Sequence, residues 1–485
     1  MVQTLGKLIG GDAAVPEGAA GLTITGLAAD SREIKPGFLF AALPGSVADG
    51  ATYIPKAIAA GAAAIIASNG INASVPVIVA DNPRRVFAMA ASRFFGAQPD
   101  LVVAVTGTSG KTSVAAFVRE IWTSMGFRAA SLGTVGVVSP SGTTELEHTT
   151  PDPVKLHEIM ARLAAEHVEH LAIEASSHGL AQYRLDGLRL TGGAFTNLSR
   201  DHLDYHDSVD DYFNAKMRLF EELLPKGAPA IINSDSPHGA EVAARAVAHG
   251  LTVVSVGRAG STLKLVSADR EGFGQRLEVI GPTRRHSLML PLVGDFQASN
   301  ALVAAGLVMA TGGEEELVFH AIESLKGAKG RLDFVVRSKT GAPIFVDYSH
   351  KPAALENAIE SLRPYAKDQL HVVFGCGGDR DKGKRPLMGA IAARLADRVY
   401  VTDDNPRSED PAAIRAEIMI GCPGAAEIGN RGEAIRAAVE ELQAGDVLLV
   451  AGKGHEEGQK IGKLVIPFSD HDAVRAAVAG VKYHG

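Results

Sequence analysis

Short apolar runs alternate with longer stretches in which apolar side chains recur every three or four positions, almost throughout the chain. The short runs suit strands buried on both faces, and the longer periodicity suits helices laid on a sheet. The pattern therefore predicts α/β architecture with parallel sheets. Near the N-terminus, "GFLFAAL", "AAAIIAS" and "VPVIVAD" read as buried strands, "RRVFAMAASRFFG" as a helix, and "AQPD" at 97–100 as a linker. A second series opens with "LVVAVTGTSGKT", strand then loop then helix, and continues with the strands "HLAIEASSH", "GGAFTNLS", "APAIINSD" and "LTVVSVG". Between 263 and 293, "LKLVSADREGFGQRLEVIG" and "HSLMLPLV" predict a small antiparallel excursion, and "NALVAAGLVMA" then predicts an apolar helix. After "GAKGRLDF" a third series follows, with strands in "APIFVDYSH", "LHVVFGCGGD", "RVYVTDD" and "DVLLVAGKGHE". That series predicts a Rossmann-like domain, although the GxGxxG fingerprint does not follow its first strand.

Several loops at predicted strand ends carry chemistry. In "AVTGTSGKTSVAAF" the glycines Gly107 and Gly110 precede Lys111 and Thr112 on a strand-to-helix turn. Glycines let backbone N–H groups turn inward on a phosphate, lysine reaches the terminal phosphates, and threonine offers an oxygen to Mg²⁺. The commonest phosphate loop, GxxxxGK[ST], has a glycine where this chain has Val105. Further on, Glu174 closes one predicted strand, and Asp201, His202, Asp204 and His206 follow another. Ligands gather at the carboxyl ends of strands in doubly wound sheets, so Glu174 and His202 are expected near the phosphates. A carboxylate beside a loop threonine suits Mg²⁺. Lys216, among the aromatic and apolar residues of "DDYFNAKMRLF", reads from its surroundings alone as a surface lysine with its stem laid on the protein. In "TDDNPRSEDP", Asn405 and Arg407 fall on a loop after a strand, where arginine's planar fork suits a carboxylate.

Composition narrows the class. At 485 residues the chain exceeds one hydrophobic core, so several domains are expected. The net charge of −7 gives no support for a nucleic-acid partner or an anionic membrane surface. Two cysteines, Cys376 and Cys422, provide no disulfide framework, and a reducing compartment is expected. Neither a signal peptide nor a membrane-spanning run is read, which predicts a cytoplasmic protein without membrane insertion.

One ordered set of motifs ties these features together. TGTSGKTS, EASSHGL, TNLSRDHLDYH with the later AK, GDFQASN, GRLD, VDYSHKP, GGDRDKGKRP, DNPR and GKGHE occur in this order over most of the chain. The chain resembles the Mur ligase family, ATP-dependent amide-forming enzymes of peptidoglycan precursor synthesis. The family's loop reads TGT(N/S)GKT, which accommodates Val105. The resemblance implies three domains: 1–97 for a UDP-sugar, 98–328 a central P-loop parallel-sheet ATPase domain, and 329–485 a Rossmann-like domain for an amino acid. It implies Mg²⁺ and ATP as co-substrate, a carboxylate activated as an acyl phosphate, and attack on it by an amine. Within the family, DNPR marks the diaminopimelate-adding branch. The implied partners are UDP-N-acetylmuramoyl-L-alanyl-D-glutamate, meso-diaminopimelate and ATP, acting on a monomer.

Residue roles follow from the resemblance. Gly107, Thr108, Ser109, Gly110, Lys111, Thr112 and Ser113 would bind ATP, with Lys111 on the terminal phosphates. Asn300 would meet the adenine side, and Arg331 and Asp347 would close on ATP from the last domain. Thr112 and Glu174 would ligate one Mg²⁺, and His202 with a carbamylated Lys216 a second. Ala29, Ser31, Ser46, Val47 and Ala48 would hold the UDP-sugar, and Thr149, Thr150, Ser176, Gln182 and Arg184 its peptide end. His148 precedes the two threonines where related enzymes often carry Asn. Arg380, Asp404, Asn405, Pro406, Arg407, Gly452 and Glu456 would form the diaminopimelate pocket. Rival readings are a lysine-adding homologue, a folylpolyglutamate synthase, and a P-loop regulatory module without ligation.

Overall fold

The computed structural model describes residues 2–45, 49–68, 71–199, 201–202 and 205–483. Ser46, Val47, Ala48 and Asp204 lie outside the described residues. The chain forms two compact units, one from 1–267, 278–288 and 299–322, the other from 268–277, 289–298 and 323–485.

The first unit carries two separate sheets. The smaller has four parallel strands in chain order, Gly26–Ala28, Phe38–Ala41, Ala64–Ala67 and Val77–Val79. Helix Pro83–Phe95 covers it, burying Val86, Phe87, Ala90, Ala91 and Phe94 along one stripe. Asn82 caps this helix, its side chain accepting from Arg85 N, and Pro83 occupies the first turn, where no amide donor is needed.

The larger sheet is built around six parallel strands in the order Ala129–Gly133, His170–Glu174, Leu101–Thr106, Leu190–Phe195, Pro229–Asn233 and Thr252–Gly257. Val105 sits in the middle of this ladder, opposite both Glu174 and Ala194, and is fully buried. The place of the missing loop glycine is thus a strand position, where a β-branched residue packs better than glycine. Strands Gly136–Ser139 and Gly142–Thr144 add an antiparallel edge that the sequence pattern did not reveal. Strand Ala129–Gly133, "AASLG", gives no strand signal either, because its small residues lack the Val/Ile signature of a buried strand. The expected excursion at 263–293 belongs to this sheet, and its first strand, Leu263–Glu271, pairs in parallel with Thr252–Gly257.

The predicted linker at 97–100 is a clamped joint. Gln98 is buried; its Nε2 donates to Gly187 O at 2.8 Å, and its Oε1 accepts from Arg189 N at 3.0 Å. Ser92 Oγ donates to the same Gly187 carbonyl at 2.8 Å. Nearby, His157 is buried with Nε2 3.1 Å from Asp186 O, so Nε2 must carry the hydrogen and donate to that carbonyl. Burial holds its pKa down to about 4, against the partial opposition of the Asp186 bond. The unfolded chain then binds the extra proton below about pH 6.5, so stability is lost as pH falls from there towards 4. The gap of about 2.5 pH units corresponds to about 3 kcal/mol. The melting temperature should therefore drop more steeply on acidification in the native chain than in His157→Gln, whose amide can still donate to Asp186.

The second unit holds a six-stranded sheet in the order Asp333–Arg337, Pro343–Asp347, Val447–Ala451, Leu370–Phe374, Arg398–Val401 and Ala426–Glu427. The first pair is antiparallel and the rest are parallel. Helices Pro352–Leu362, Lys384–Leu395, Pro411–Met419, Arg431–Glu441 and Asp470–Ala479 supply two cores, one on each face of the sheet. The central strands are buried along their whole length and mostly apolar, as expected for strands covered on both faces. The hairpin Gly458–Ile461 and Leu464–Pro467 was not predicted; its outer side chains Leu464, Val465 and Ile466 are exposed, so no buried run marks it. Among the described residues no helix is long and apolar enough to cross a membrane.

Candidate functional site

The phosphate loop leaves the end of strand Leu101–Thr106 and runs into helix Lys111–Ser124, with Gly110 as its N-cap at φ 88°. Gly107 has φ 145°, and a Cβ there would collide with the Thr196 hydroxyl. The loop is stapled to the segment after strand Leu190–Phe195. Thr108 N donates to Asn197 O at 2.8 Å, Ser109 N to Asn197 Oδ1 at 3.0 Å, and Thr196 Oγ1 to Ser109 O at 2.6 Å. These bonds fix the loop at the positive end of the helix, where an anion is favoured. Lys111 Nζ donates to the carbonyls of Gly107 and Thr108 at 2.8 and 2.9 Å. Asn300 lies with its side-chain oxygen against Gly110, which puts it beside the phosphate loop itself, and Ser113 is buried in the first helical turn.

Glu174 ends its strand beside the loop and is buried. Its Oε2 accepts from Thr112 Oγ1 at 3.1 Å and from Thr134 Oγ1 at 3.2 Å, and its Oε1 from Thr134 N at 2.7 Å. Gly133 must be glycine, since a Cβ there would overlap the Glu174 carboxylate. Thr134 also meets Thr149, hydroxyl to hydroxyl, at 3.1 Å. Sequence reading missed Thr134 because it missed the strand that delivers it. Thr150 Oγ1 donates to Glu174 O at 2.9 Å and accepts from Ser176 N and Oγ. Arg184 Nη1 donates to Thr150 O at 2.7 Å, while its Nε and Nη2 donate to Gln182 Oε1. Gln182 in turn donates to the Tyr205 hydroxyl at 3.1 Å. Thr149, Thr150, Ser176, Gln182 and Arg184 thus form one network joined to the loop through Glu174.

Lys216 departs from the surface lysine that its neighbours in sequence suggested. Its side chain is 1% exposed on helix Val209–Arg218, because the helix turns this face inward with Tyr212, Phe213 and Met217. Nζ donates to Gly107 O at 2.8 Å, the same carbonyl that Lys111 uses, and lies 4.2 Å from the Tyr212 ring centroid. Burial first, and the Lys111 cation second, push its pKa well below the ordinary lysine value. Tyr212, which sequence reading did not single out, joins the two regions, its hydroxyl 3.0 Å from Thr108 Oγ1. His202 has φ 53°, stands 6.0 Å ring to ring from Tyr212 and 3.5 Å from Asp201 Oδ2, and stays partly exposed. Among the described residues no group of three or more His, Cys, Asp or Glu could by itself hold a metal ion. In the smaller sheet, exposed Ala29 and buried Ser31 follow strand Gly26–Ala28.

In the second unit, four loops leave the carboxyl ends of the parallel strands: 348–351, 375–383, 402–410 and 452–457. Asp347 is fully employed within the fold. Its carboxylate accepts from Leu332 N at 2.7 Å and from the Ser349 hydroxyl, which holds Leu332 at φ 46°, and burial raises its pKa. Arg331 stacks over Tyr348 at 4.9 Å. Asp404, Asn405 and Pro406 are buried, and Arg407 adopts φ 53°. Arg407 Nη1 donates to Gly378 O at 2.7 Å, and a Cβ on Gly378 would collide with Pro406 O. The unpredicted hairpin secures this loop, with Arg407 N donating to Lys460 O at 3.0 Å and Gln459 Nε2 to Asp404 O at 2.6 Å. Asn405 Nδ2 donates to Glu456 Oε2 at 2.9 Å, and Gly452 packs against the Asp404 carboxylate. Arg380 lies on the exposed part of its loop, and its Nη1 meets Asp379 O at 3.4 Å.

A glycine loop between a central parallel strand and a helix, with threonine and a buried carboxylate beside it, defines a P-loop protein of the α/β class. Three segments match descriptions of one family: "Mur ligase family, catalytic domain" at 23–94, "Mur ligase middle domain" at 105–308, and "Mur ligase, glutamate ligase domain" at 330–454. The chain belongs to the Mur ligase family and is a ligase. It is 56% identical over 480 residues to the UDP-N-acetylmuramoyl-L-alanyl-D-glutamate–2,6-diaminopimelate ligase of Bradyrhizobium diazoefficiens, covering 98% of this chain and 99% of that protein. The enzyme of the same name from Brucella melitensis is 56% identical over 96% of each chain. A solved structure of a ligase of that name superposes with a TM-score of 0.74 at 31% identity, over 99% of each chain.

Proposed function

We propose that the chain joins meso-diaminopimelate to UDP-N-acetylmuramoyl-L-alanyl-D-glutamate at the expense of ATP. The segment 1–97 would hold the UDP-sugar, 98–328 ATP and the peptide end, and 329–485 the amino acid. A carboxylate is a poor acyl donor, so the free D-glutamyl carboxylate takes the γ-phosphoryl group of ATP to become an acyl phosphate. The incoming amine attacks the acyl carbon, the C–O bond to phosphate breaks, and inorganic phosphate leaves as the amine loses a proton. Lys111 and the loop amides hold the terminal phosphates and offset the charge that builds on the transferring group. Thr112 and Glu174 offer a hydroxyl and a carboxylate oxygen to one point, the donor chemistry Mg²⁺ takes, and His202 with a carbamylated Lys216 would serve a second ion. Bound there, Mg²⁺ would neutralise phosphoryl oxygens.

The observation that carries this reading is the bond from Thr150 to Glu174 O. Through it, the residues assigned to the peptide and those assigned to the phosphoryl group share one network, as phosphoryl transfer to a peptide carboxylate requires. The test is ADP release with ATP and the UDP-sugar dipeptide, adding in turn diaminopimelate, lysine or no amino acid. ADP release is expected with diaminopimelate; equal use of lysine, or release without an amino acid, would overturn the assignment.

Selectivity in this reading rests on charge. The far end of diaminopimelate presents an ammonium and a carboxylate, and Arg407 would take the carboxylate. Lysine leaves that arginine unpaired in a partly desolvated pocket, which costs a few kcal/mol. Wild type should therefore prefer diaminopimelate by roughly 10²-fold in kcat/KM. Arg407→Ala should erode that preference mainly through lost diaminopimelate activity, with the KM for ATP little changed; full selectivity in the variant would sink the role.

A further inference from the structure

Lys453 belongs to none of the roles considered so far, yet it lies at the centre of the bonds that shape the acceptor loops. It follows strand Val447–Ala451, and its side chain is 0% exposed. Nζ donates to Glu456 Oε2 at 2.9 Å and to Asn405 Oδ1 at 3.2 Å. Asn405 Oδ1 also accepts from Lys460 N at 2.9 Å. Two donors on that oxygen fix the orientation of the amide, so Nδ2 is the atom that meets Glu456 Oε2 at 2.9 Å. The three side chains close a triangle of lysine, asparagine and glutamate, with Glu456 31% exposed and turned towards the open side. The nearby Arg431 is already matched by Asp470, with Nε and Nη2 each 2.7 Å from a carboxylate oxygen and wholly buried, and its Nη2 also donates to Ala451 O.

We propose that Lys453 is a positioning residue that sets the acceptor preference, resting on the diaminopimelate reading above. Its cation offsets Glu456 and ties that carboxylate to Asn405. The charges of Arg407, Lys453, Glu456 and Asp404 then balance, which matches the zwitterionic far end of diaminopimelate. Lysine's far end brings a lone ammonium, and a pocket already neutral has little to offer it. Removing Lys453 leaves Glu456 as an uncompensated anion that attracts such an ammonium, and frees Asn405 to turn.

The test compares wild type, Lys453→Met and Lys453→Arg with ATP and the UDP-sugar dipeptide, using diaminopimelate and lysine in turn. Lys453→Met should raise the KM for diaminopimelate about tenfold or more and narrow the diaminopimelate-to-lysine ratio of kcat/KM by a similar factor. Its kcat at saturation and its KM for ATP should stay within about twofold. Lys453→Arg should recover part of the preference by restoring the charge. If Lys453→Met does not fold, the double variant Lys453→Met/Glu456→Gln, with a neutral pair in place of the ion pair, carries the test and should bind diaminopimelate no better than Glu456→Gln alone. An unchanged KM and preference, or equal losses with both amino acids and in kcat, would overturn the inference. Failure of wild type to use diaminopimelate would instead overturn the reading of function.

Discussion

Lys111→Ala should lower turnover by on the order of 10²–10³-fold or more. Lys111 is the only lysine of the loop, and its ammonium is held by the carbonyls of Gly107 and Thr108 at the start of a helix. Lys216, which donates to the same Gly107 carbonyl, could not take its place, because its carbamate would be an anion. The substitution shortens a partly exposed side chain, so the fold should survive. Turnover of the UDP-sugar dipeptide, measured beside a thermal melt, checks both halves of the expectation. Native turnover in a folded variant would remove Lys111 from phosphate binding and with it the ATP assignment of the loop.

Lys216→Ala should be nearly inactive and partly rescued by a short-chain carboxylate in the buffer. A free lysine amine has a pKa of about 10.4, and only its neutral form reacts with CO₂. Burial and the neighbouring Lys111 both favour that neutral form here. Two ammonium groups on the single Gly107 carbonyl would be an unfavourable arrangement. The Lys216 ammonium gives up one proton to become the neutral amine, which adds CO₂ through a new N–C bond and releases a second proton to become an anion. The side chain would then complement a cation instead of repelling one. Active enzyme labelled with ¹³C-bicarbonate should show a carbamate carbon that disappears in Lys216→Ala. An active enzyme with an unmodified amine, or a variant that no carboxylate rescues, would count against the modification.

The strands were legible where they were made of Val, Ile, Leu and Phe, as at Leu101–Thr106 and Val447–Ala451, because full burial leaves an unbroken apolar run. "AASLG" was illegible for the opposite reason, and Thr134 went with it. Loop chemistry was legible as residue types: Lys111, Thr112 and Glu174 announced themselves, and the structure brings them within hydrogen-bonding reach of one another or of one loop. Burial was not legible for Lys216 and Lys453, since a lysine's letter looks the same whether its ammonium is in solvent or bonded inside the fold. The Arg407 loop was visible in "DNPR", but the hairpin that holds it was not, because its outward side gives no periodic signal.

The joint at Gln98 bears on how the N-terminal sheet can move. A side-chain amide fixed at both ends, to Gly187 O and Arg189 N, behaves as a weld, with no freedom to hinge. Rotation there would break both bonds of the buried Gln98 amide, a loss of about 1–3 kcal/mol for each group left without a partner. The part of the chain assigned to the UDP-sugar would therefore be carried with the phosphate loop as a single rigid tool. The distance from nucleotide to peptide end would be set at folding, before any substrate arrives, so the entropy of aligning the two ends is already spent in making the protein.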